Sequence, residues 1–205
     1  MKLLLFSDLH CDIEAAHRLV EKSADKDVVV GAGDFGQCRR HIGKVIDVLR
    51  TIDRPAVVVP GNAESIEELT EACLPWPTAH VLHGNGVTIE GVQFFGIGGG
   101  IPVTPFGSWS YDFSEDEAAE LLRDCPPKSV LVSHSPPHGA VDVDSSGTSF
   151  GSRAVRDTIL EKSPRLVVCG HIHACWGQQE TVGETPVMNA GPGGVEWTLD
   201  HGTSS

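Results

Sequence analysis

Five short apolar runs in this chain each end, within a few residues, in a polar cluster containing Asp, Asn or His. Lys2 to Phe6 leads into Ser7-Asp8-Leu9-His10, Asp27 to Val30 into Gly31-Ala32-Gly33-Asp34, and Ala56 to Val59 into Pro60-Gly61-Asn62. Ser129 to Val132 leads into Ser133-His134-Ser135, and Arg165 to Val168 into Cys169-Gly170-His171-Ile172-His173. Short β-branched runs bounded by turn residues read as buried strands. Helical patterns at Asp12 to Ala24 and Arg40 to Ile52 separate the first three, and such repeats imply an α/β core with parallel pairing. Open α/β sheets bind ligands beyond the carboxyl ends of their strands, so the five clusters are expected to meet.

The clusters have the composition of a metal site. In Asp8-x-His10 and His171-x-His173, alternate residues of an extended segment fall on one side, so each pair can present two ligands together. Gly33, Gly61 and Gly170 allow tight turns in which backbone approaches a ligand closely. Mixed carboxylate, imidazole and amide ligation suits Mn, Fe, Zn, Ni or Co better than a thiolate-held structural zinc. Taken singly, an Asp after a strand is more often a cap or turn former, and a lone His a satisfied polar group. That bland reading must explain five separate strand ends at once, and there it fails.

The rest of the chain reads as a helix near Glu64 to Cys73, a hairpin from Gly86 to Glu90 and Val92 to Ile97, and helices near Ser114 to Arg123 and Ser152 to Lys162. Antiparallel strands are expected around Trp176 to Thr181, Pro186 to Asn189 and Val195 to Leu199. Gly98 to Asp112 is a long ordered loop rich in Gly, Pro and aromatic residues. Phe106, Trp109, Tyr111 and Phe113 either stack against a base or aryl group or form that loop's own small core; the second is favoured. Ser145 to Ser152 either cradles a phosphate or ends in a helix cap at Ser152, and capping is favoured. Gly98-Gly99-Gly100 lacks the strand-to-helix setting of a nucleotide-binding loop. The expectation is one domain over residues 1–200 and a flexible tail over 201–205.

Composition narrows the partners. With 28 acidic against 15 basic residues the 205-residue chain carries a formal charge of -13, which disfavours a grip on a long nucleic-acid duplex. Bound divalent cations could still make one cleft locally positive. The apolar start stops at Ser7-Asp8, short of a secretory segment, and no run reaches membrane-spanning length. A cytoplasmic protein with no membrane partner is expected. Six cysteines without CxxC spacing read as free thiols. A homo-oligomer is compatible with everything in the sequence.

At the strand-end residues the chain resembles the calcineurin-like metallophosphoesterases, whose motifs run DxH, GD, GN followed by His and an acidic residue, a lone His, and GHxH. Here they read Asp8-Leu9-His10, Gly33-Asp34, Gly61-Asn62-Ala63-Glu64, His134 and Gly170-His171-Ile172-His173. Asn189-Ala190-Gly191-Pro192-Gly193 resembles the last strand-turn of the small bacterial and archaeal phosphodiesterases of that family. The resemblance implies an αββα sandwich of two mixed β-sheets flanked by helices. It also implies two divalent metal ions, with Mn placed first, one held by Asp8, His10, Asp34 and His173 and the other by Asp34, Asn62, His134 and His171. Asp34 would bridge, and a metal-bridging hydroxide would attack a small phosphate ester, with a nucleotide among the candidates.

One position departs from the pattern. The family's His after the GN pair, which serves the leaving group, is Ala63 here. Either the esters have good leaving groups, or another residue stands in, or the site mainly binds. His138 is the first substitute considered, completing a catalytic set of Asp34, Asn62, His134 and His138; His41, His83, Cys11, Cys38 and Arg39 are further options. Loss of the proton donor favours a phosphodiester over a monoester. The alternatives are a phosphomonoesterase, a nucleotide pyrophosphohydrolase, and a non-catalytic metal-binding scaffold.

Overall fold

Alternation within the first strand sets the layering of the whole molecule, described over residues 1–200 in a computed structural model. In β1 (Lys2–Phe6) Leu3 and Leu5 face one apolar cluster while Leu4 and Phe6 face another, as a two-sided buried strand requires. The Leu3 and Leu5 side meets Phe94, Val130, Val132, Leu166 and Val168 of a second sheet. The Leu4 and Phe6 side packs on helices α1 (Ile13–Lys22), α2 (Ile42–Leu49) and α3 (Ile66–Cys73). On the second sheet, Leu131, Val167 and Val187 face α4 (Glu115–Leu122) and α5 (Arg153–Lys162). The order is therefore helix, sheet, sheet, helix.

The first sheet runs β11 (Val195–Thr198), β1, β2 (Val28–Gly31), β3 (Ala56–Val58), β4 (Ala79–Val81). Its strands are parallel except β11, which is antiparallel to β1. The second sheet runs β5 (Asn85–Ile89), β6 (Val92–Ile97), β7 (Val130–Ser133), β8 (Leu166–Cys169), β10 (Thr185–Asn189), β9 (Gln179–Val182). There β6, β7, β8 and β10 are parallel, with β5 and β9 antiparallel at the two edges.

Three expectations need correction. The expected antiparallel strands do form, β10 with β9 and β11 with β1, but β10 also joins β8 in parallel and β11 lies in the other sheet. Strand β4 has no counterpart in the sequence pattern, since Ala79-His80-Val81 is three residues long and carries no period. Helix α2 starts at Ile42 rather than residue 40, because Cys38, Arg39 and His41 hold positive φ angles of 45°, 64° and 64°, incompatible with a helix. The tail expected at residues 201–205 lies outside the described residues. All six cysteines are free.

Candidate metal centre

The five strand ends do meet. Asp34 sits between two imidazoles, with Oδ2 3.5 Å from His10 Nε2 and Oδ1 3.5 Å from His134 Nε2. On the first side, His10 Nε2 and His173 Nε2 face one another at 3.1 Å, and Asp8 Oδ1 lies 3.9 Å from His173 Nε2. On the second side, Asn62 Oδ1 lies 3.2 Å from His134 Nε2 and 3.1 Å from His171 Nδ1. The seven expected ligand residues thus form two groups that share Asp34. Donor atoms of Asp8, His10 and His173, and again of Asp8, Asp34 and His134, all lie within 4.8 Å of one another. Imidazole nitrogens and carboxylate oxygens converging without an intervening side chain fit divalent cations of borderline hardness.

The local route to this geometry differs from the alternation read in the sequence. Asp8, His10, Asp34 and His171 have φ of 55°, 44°, 58° and 67°, the left-handed region that non-glycine residues enter at a cost. These four of the seven candidate ligands are aimed by left-handed turns after the strands rather than by extended backbone. Four such residues at one site mark a place where function overrides local preference.

Two glycines make the turns possible by close approach. A Cβ on Gly61 would lie 2.0 Å from Asp34 Oδ1, and one on Gly170 would lie 2.5 Å from Asp8 Oδ2. No side chain fits at either.

Surrounding hydrogen bonds fix three of the candidate ligands, His134, Asn62 and Asp8. His134 Nδ1 donates to the Ala32 carbonyl at 2.7 Å, leaving Nε2 free to ligate. Asn62 Nδ2 donates to Ser110 Oγ at 2.9 Å, turning Oδ1 toward the centre. Asp8 Oδ2 accepts from Ser7 Oγ at 2.5 Å and from Trp176 Nε1 at 3.0 Å, so Oδ1 points inward. Trp176 also lies over the His173 ring, with centroids 4.4 Å apart. Asn189 Nδ2 donates to the carbonyls of Gly170 and Ile172, and Gly191 N donates to Ser7 Oγ, tying the turn after β10 to two ligand loops.

Glu64 binds the two central loops together. Its Oε1 accepts from the backbone N–H groups of Gly61 (2.7 Å), Asp34 (2.8 Å) and Phe35 (3.3 Å), and Oε2 accepts from Gly36 N at 2.9 Å. Burial, reinforced by the Asp34 charge, pushes its carboxyl up to about 7. Burial also holds His171 well below the ordinary imidazole value, aided by His134, His173 and His10, and it lowers His173. Burial opposes protonation of His134, but Asp34 and Asp8 outweigh it and raise that imidazole. The family resemblance matched Glu64 and Asn189 to motif positions without giving either a task, and sequence reasoning gave Ser110 and Trp176 no role. The available signals were an acidic residue directly after Asn62-Ala63 and a Trp three residues after His173.

A cleft of about 840 Å³ opens on the centre and is lined by His10, Asp34, Asn62, Ala63, His171 and His173, together with Gln37, Cys38, residues 102–106, Trp109, Asp144, Ser145 and Phe150. His138 does not line it. Its Nδ1 faces Ser149 Oγ at 3.0 Å, and Ser149 in turn donates to buried Asp142. Of the other substitutes, His83 packs on Tyr111 and Phe113 with Nδ1 accepting from Gly98 N, and Arg39 pairs with Glu68 at 2.7 Å. Cys11 directs its thiol to the Arg40 and His41 carbonyls, and His41 is exposed outside the cleft, which leaves Cys38 at the cleft wall. The phosphate cradle considered at Ser152 is closed: the Ser152 hydroxyl caps α5, and Glu115 accepts from the Arg153 and Ala154 N–H groups.

The family model described as calcineurin-like phosphoesterase matches residues 1–175. The chain belongs to this family. The UPF0046 protein C25E10.12 of Caenorhabditis elegans is 28% identical over 93% of this chain and 74% of its own length. Among solved structures, TT1561 of Thermus thermophilus superposes with a TM-score of 0.75 at 19% identity, covering 94% of this chain and 90% of that one. A dimetal phosphatase of Danio rerio gives 0.64 at 14% identity, over 94% and 88%. These likenesses establish the metallophosphoesterase fold. Among the described residues, no helix is long and apolar enough to cross a membrane.

Proposed function

We propose that this member of the family hydrolyses phosphodiesters at a two-metal centre, one ion held by Asp8, His10, Asp34 and His173 and the other by Asp34, Asn62, His134 and His171, with Mn the first candidate. The observation that carries the proposal is Asp34, whose two carboxylate oxygens face two separate donor groups. When bound, two such ions supply Lewis acidity for the phosphoryl oxygens and lower the pKa of a water between them. The chain's own residues do the rest. Asp34 holds the two halves together, Asn62 and Asp8 are turned by Ser110, Ser7 and Trp176, and Glu64 keeps the loops carrying Asp34 and Asn62 at fixed separation. As the water oxygen gives up a proton to solvent and bonds to phosphorus, the bond to the ester oxygen breaks and the departing oxygen takes a proton from solvent.

Preference for a diester rests on two features. Ala63 offers no proton to a departing alkoxide, and it shares the cleft wall with Gln37 and Cys38, neither a strong acid. The cleft lining also contains no Lys or Arg, so beyond the ions nothing compensates the second charge of a monoester or the several charges of a polyphosphate. Metal-loaded protein should therefore turn over bis-p-nitrophenyl phosphate faster than p-nitrophenyl phosphate. A faster monoester would reverse the preference, and no turnover of either would favour a binding scaffold.

A further inference from the structure

Four aromatic residues sit on the loop between β6 and α4, and the structure divides them into two pairs with different roles. Tyr111 and Phe113 turn inward, edge to face at 4.9 Å and packed against His83. They anchor the loop to the body of the protein, Phe113 packing also against the apolar cluster of the second sheet and its helices. Phe106 and Trp109 take no part in this packing. Their rings stack on each other within 15° of parallel at 5.6 Å and line the cleft.

These rings expose apolar surface where the centre opens. Seven large hydrophobic side chains are exposed among the described residues, and three of them, Val103 (63%), Phe106 (51%) and Phe150 (45%), line this one cleft. Scattered exposed hydrophobics are ordinary, but a concentration beside a polar centre marks a place that receives an apolar group. The loop is also held in shape. Asp112 accepts from Thr104 N (3.0 Å), Thr104 Oγ1 (2.7 Å) and Ser110 Oγ (2.7 Å), and the same Ser110 orients Asn62. The braced aromatic loop is thus tied through Ser110 to Asn62, the amide on the separate loop after β3.

We propose that Phe106 and Trp109 form a subsite for a flat, uncharged aromatic ring carried by the substrate. Resting on the diesterase reading above, this makes the preferred substrate a phosphodiester with one aryl or heteroaryl ester group and no further anionic group. The charge pattern selects for that class: away from the candidate metal ligands the lining offers Asp144 and neither Lys nor Arg, so a ring bearing additional phosphates is disfavoured while a neutral ring is not. Stacking on a pre-formed aromatic pair recognises the π-face of the ring and tolerates variation at its edge.

The test uses the full chain loaded with Mn and separates binding from turnover. By calorimetry, methyl phenylphosphonate should bind about tenfold more tightly than methyl methylphosphonate, a difference of about 1.4 kcal/mol. In Trp109→Ala and Phe106→Ala that ratio should fall toward one, with melting temperatures confirming that both variants remain folded. In turnover, p-nitrophenyl phenyl phosphate and p-nitrophenyl methyl phosphate share a leaving group, so a kcat/KM advantage for the phenyl ester reports the second ester group alone. Equal binding of the two phosphonates, or a preference that survives both substitutions, overturns the subsite. Equal turnover of both esters overturns it too and leaves the diesterase reading standing. A phenyl preference in binding that the two variants abolish, without turnover of either ester, supports the subsite and overturns the diesterase reading.

Discussion

Replacing Glu64 by Gln exchanges one side-chain oxygen for an amide nitrogen and should loosen the whole centre. In the native protein the carboxylate accepts four backbone N–H groups, three on Oε1 and one, from Gly36, on Oε2. A glutamine can keep the first three by placing its carbonyl oxygen at Oε1, but its NH2 group then faces the Gly36 N–H, donor against donor. Glu64 is 1% exposed, so water cannot relieve the clash. One unsatisfied buried donor costs about 1–3 kcal/mol, and for a chain of this length each kcal/mol lowers the melting temperature by about 2–4 °C. The metal-free variant should melt a few degrees to about 10 °C lower, with the penalty larger at acid pH than at mildly alkaline pH. That sign follows from the native carboxyl near 7 against an ordinary value of 4.5. Between those values the folded wild type holds a proton that the unfolded chain has released, so its stability falls as pH rises, while the variant lacks this dependence. Metal affinity should drop about 10- to 100-fold, as for other groups that support ligands. Scanning calorimetry and metal titration read both effects. A variant that melts and binds Mn as wild type does would refute the argument that Glu64 holds the loops of Asp34 and Asn62 together.

Gly61→Ala should abolish Mn binding outright, because its Cβ would fall 2.0 Å from Asp34 Oδ1; calorimetric titration with retained high-affinity binding would count against the packing described. Trp176→Phe keeps a ring over His173 but removes the 3.0 Å donor to Asp8, and should weaken metal binding about tenfold, an effect that Trp176→Ala should deepen through loss of the stacked ring. His138→Ala should leave kcat little changed on esters of good and poor leaving groups alike, since His138 does not line the cleft; selective loss on the poor leaving group would restore it as the acid. In thiol labelling under mildly alkaline conditions, exposed Cys38 should react first and Cys73 only on unfolding, because burial pushes the Cys73 thiol up to about 12.

The convergence of the seven candidate ligand residues was legible because buried parallel strands leave a plain record: apolar runs that end in polar residues, repeated five times at spacings that put the carboxyl ends on one side. The α/β core with parallel pairing was legible for the same reason, whereas the two-sheet sandwich was an implication of the family resemblance. Other features left weaker traces. The pairing of β10 with β8 and of β11 with β1 depends on long-range register that no local pattern encodes. The left-handed turns at Asp8, His10, Asp34 and His171 run against the preferences of those residues, so the extended alternation read in the sequence is not the backbone that brings them together. Glu64 is an acid next to a helix start, where exposure is the usual outcome, and only the fold shows it buried under four N–H groups. The split of the four loop aromatics into an inner pair and a cleft pair likewise needed the structure.

The central claim is that Asp34 joins two metal sites, and metal stoichiometry addresses it most directly. Wild-type protein equilibrated with Mn and desalted should carry two ions per chain by elemental analysis. Asp34→Asn, which keeps the size of the side chain and removes its charge, should carry one or none and lose hydrolysis of bis-p-nitrophenyl phosphate. Two ions retained in the variant, or fewer than two in the wild type at saturating Mn, would contradict the shared-ligand account.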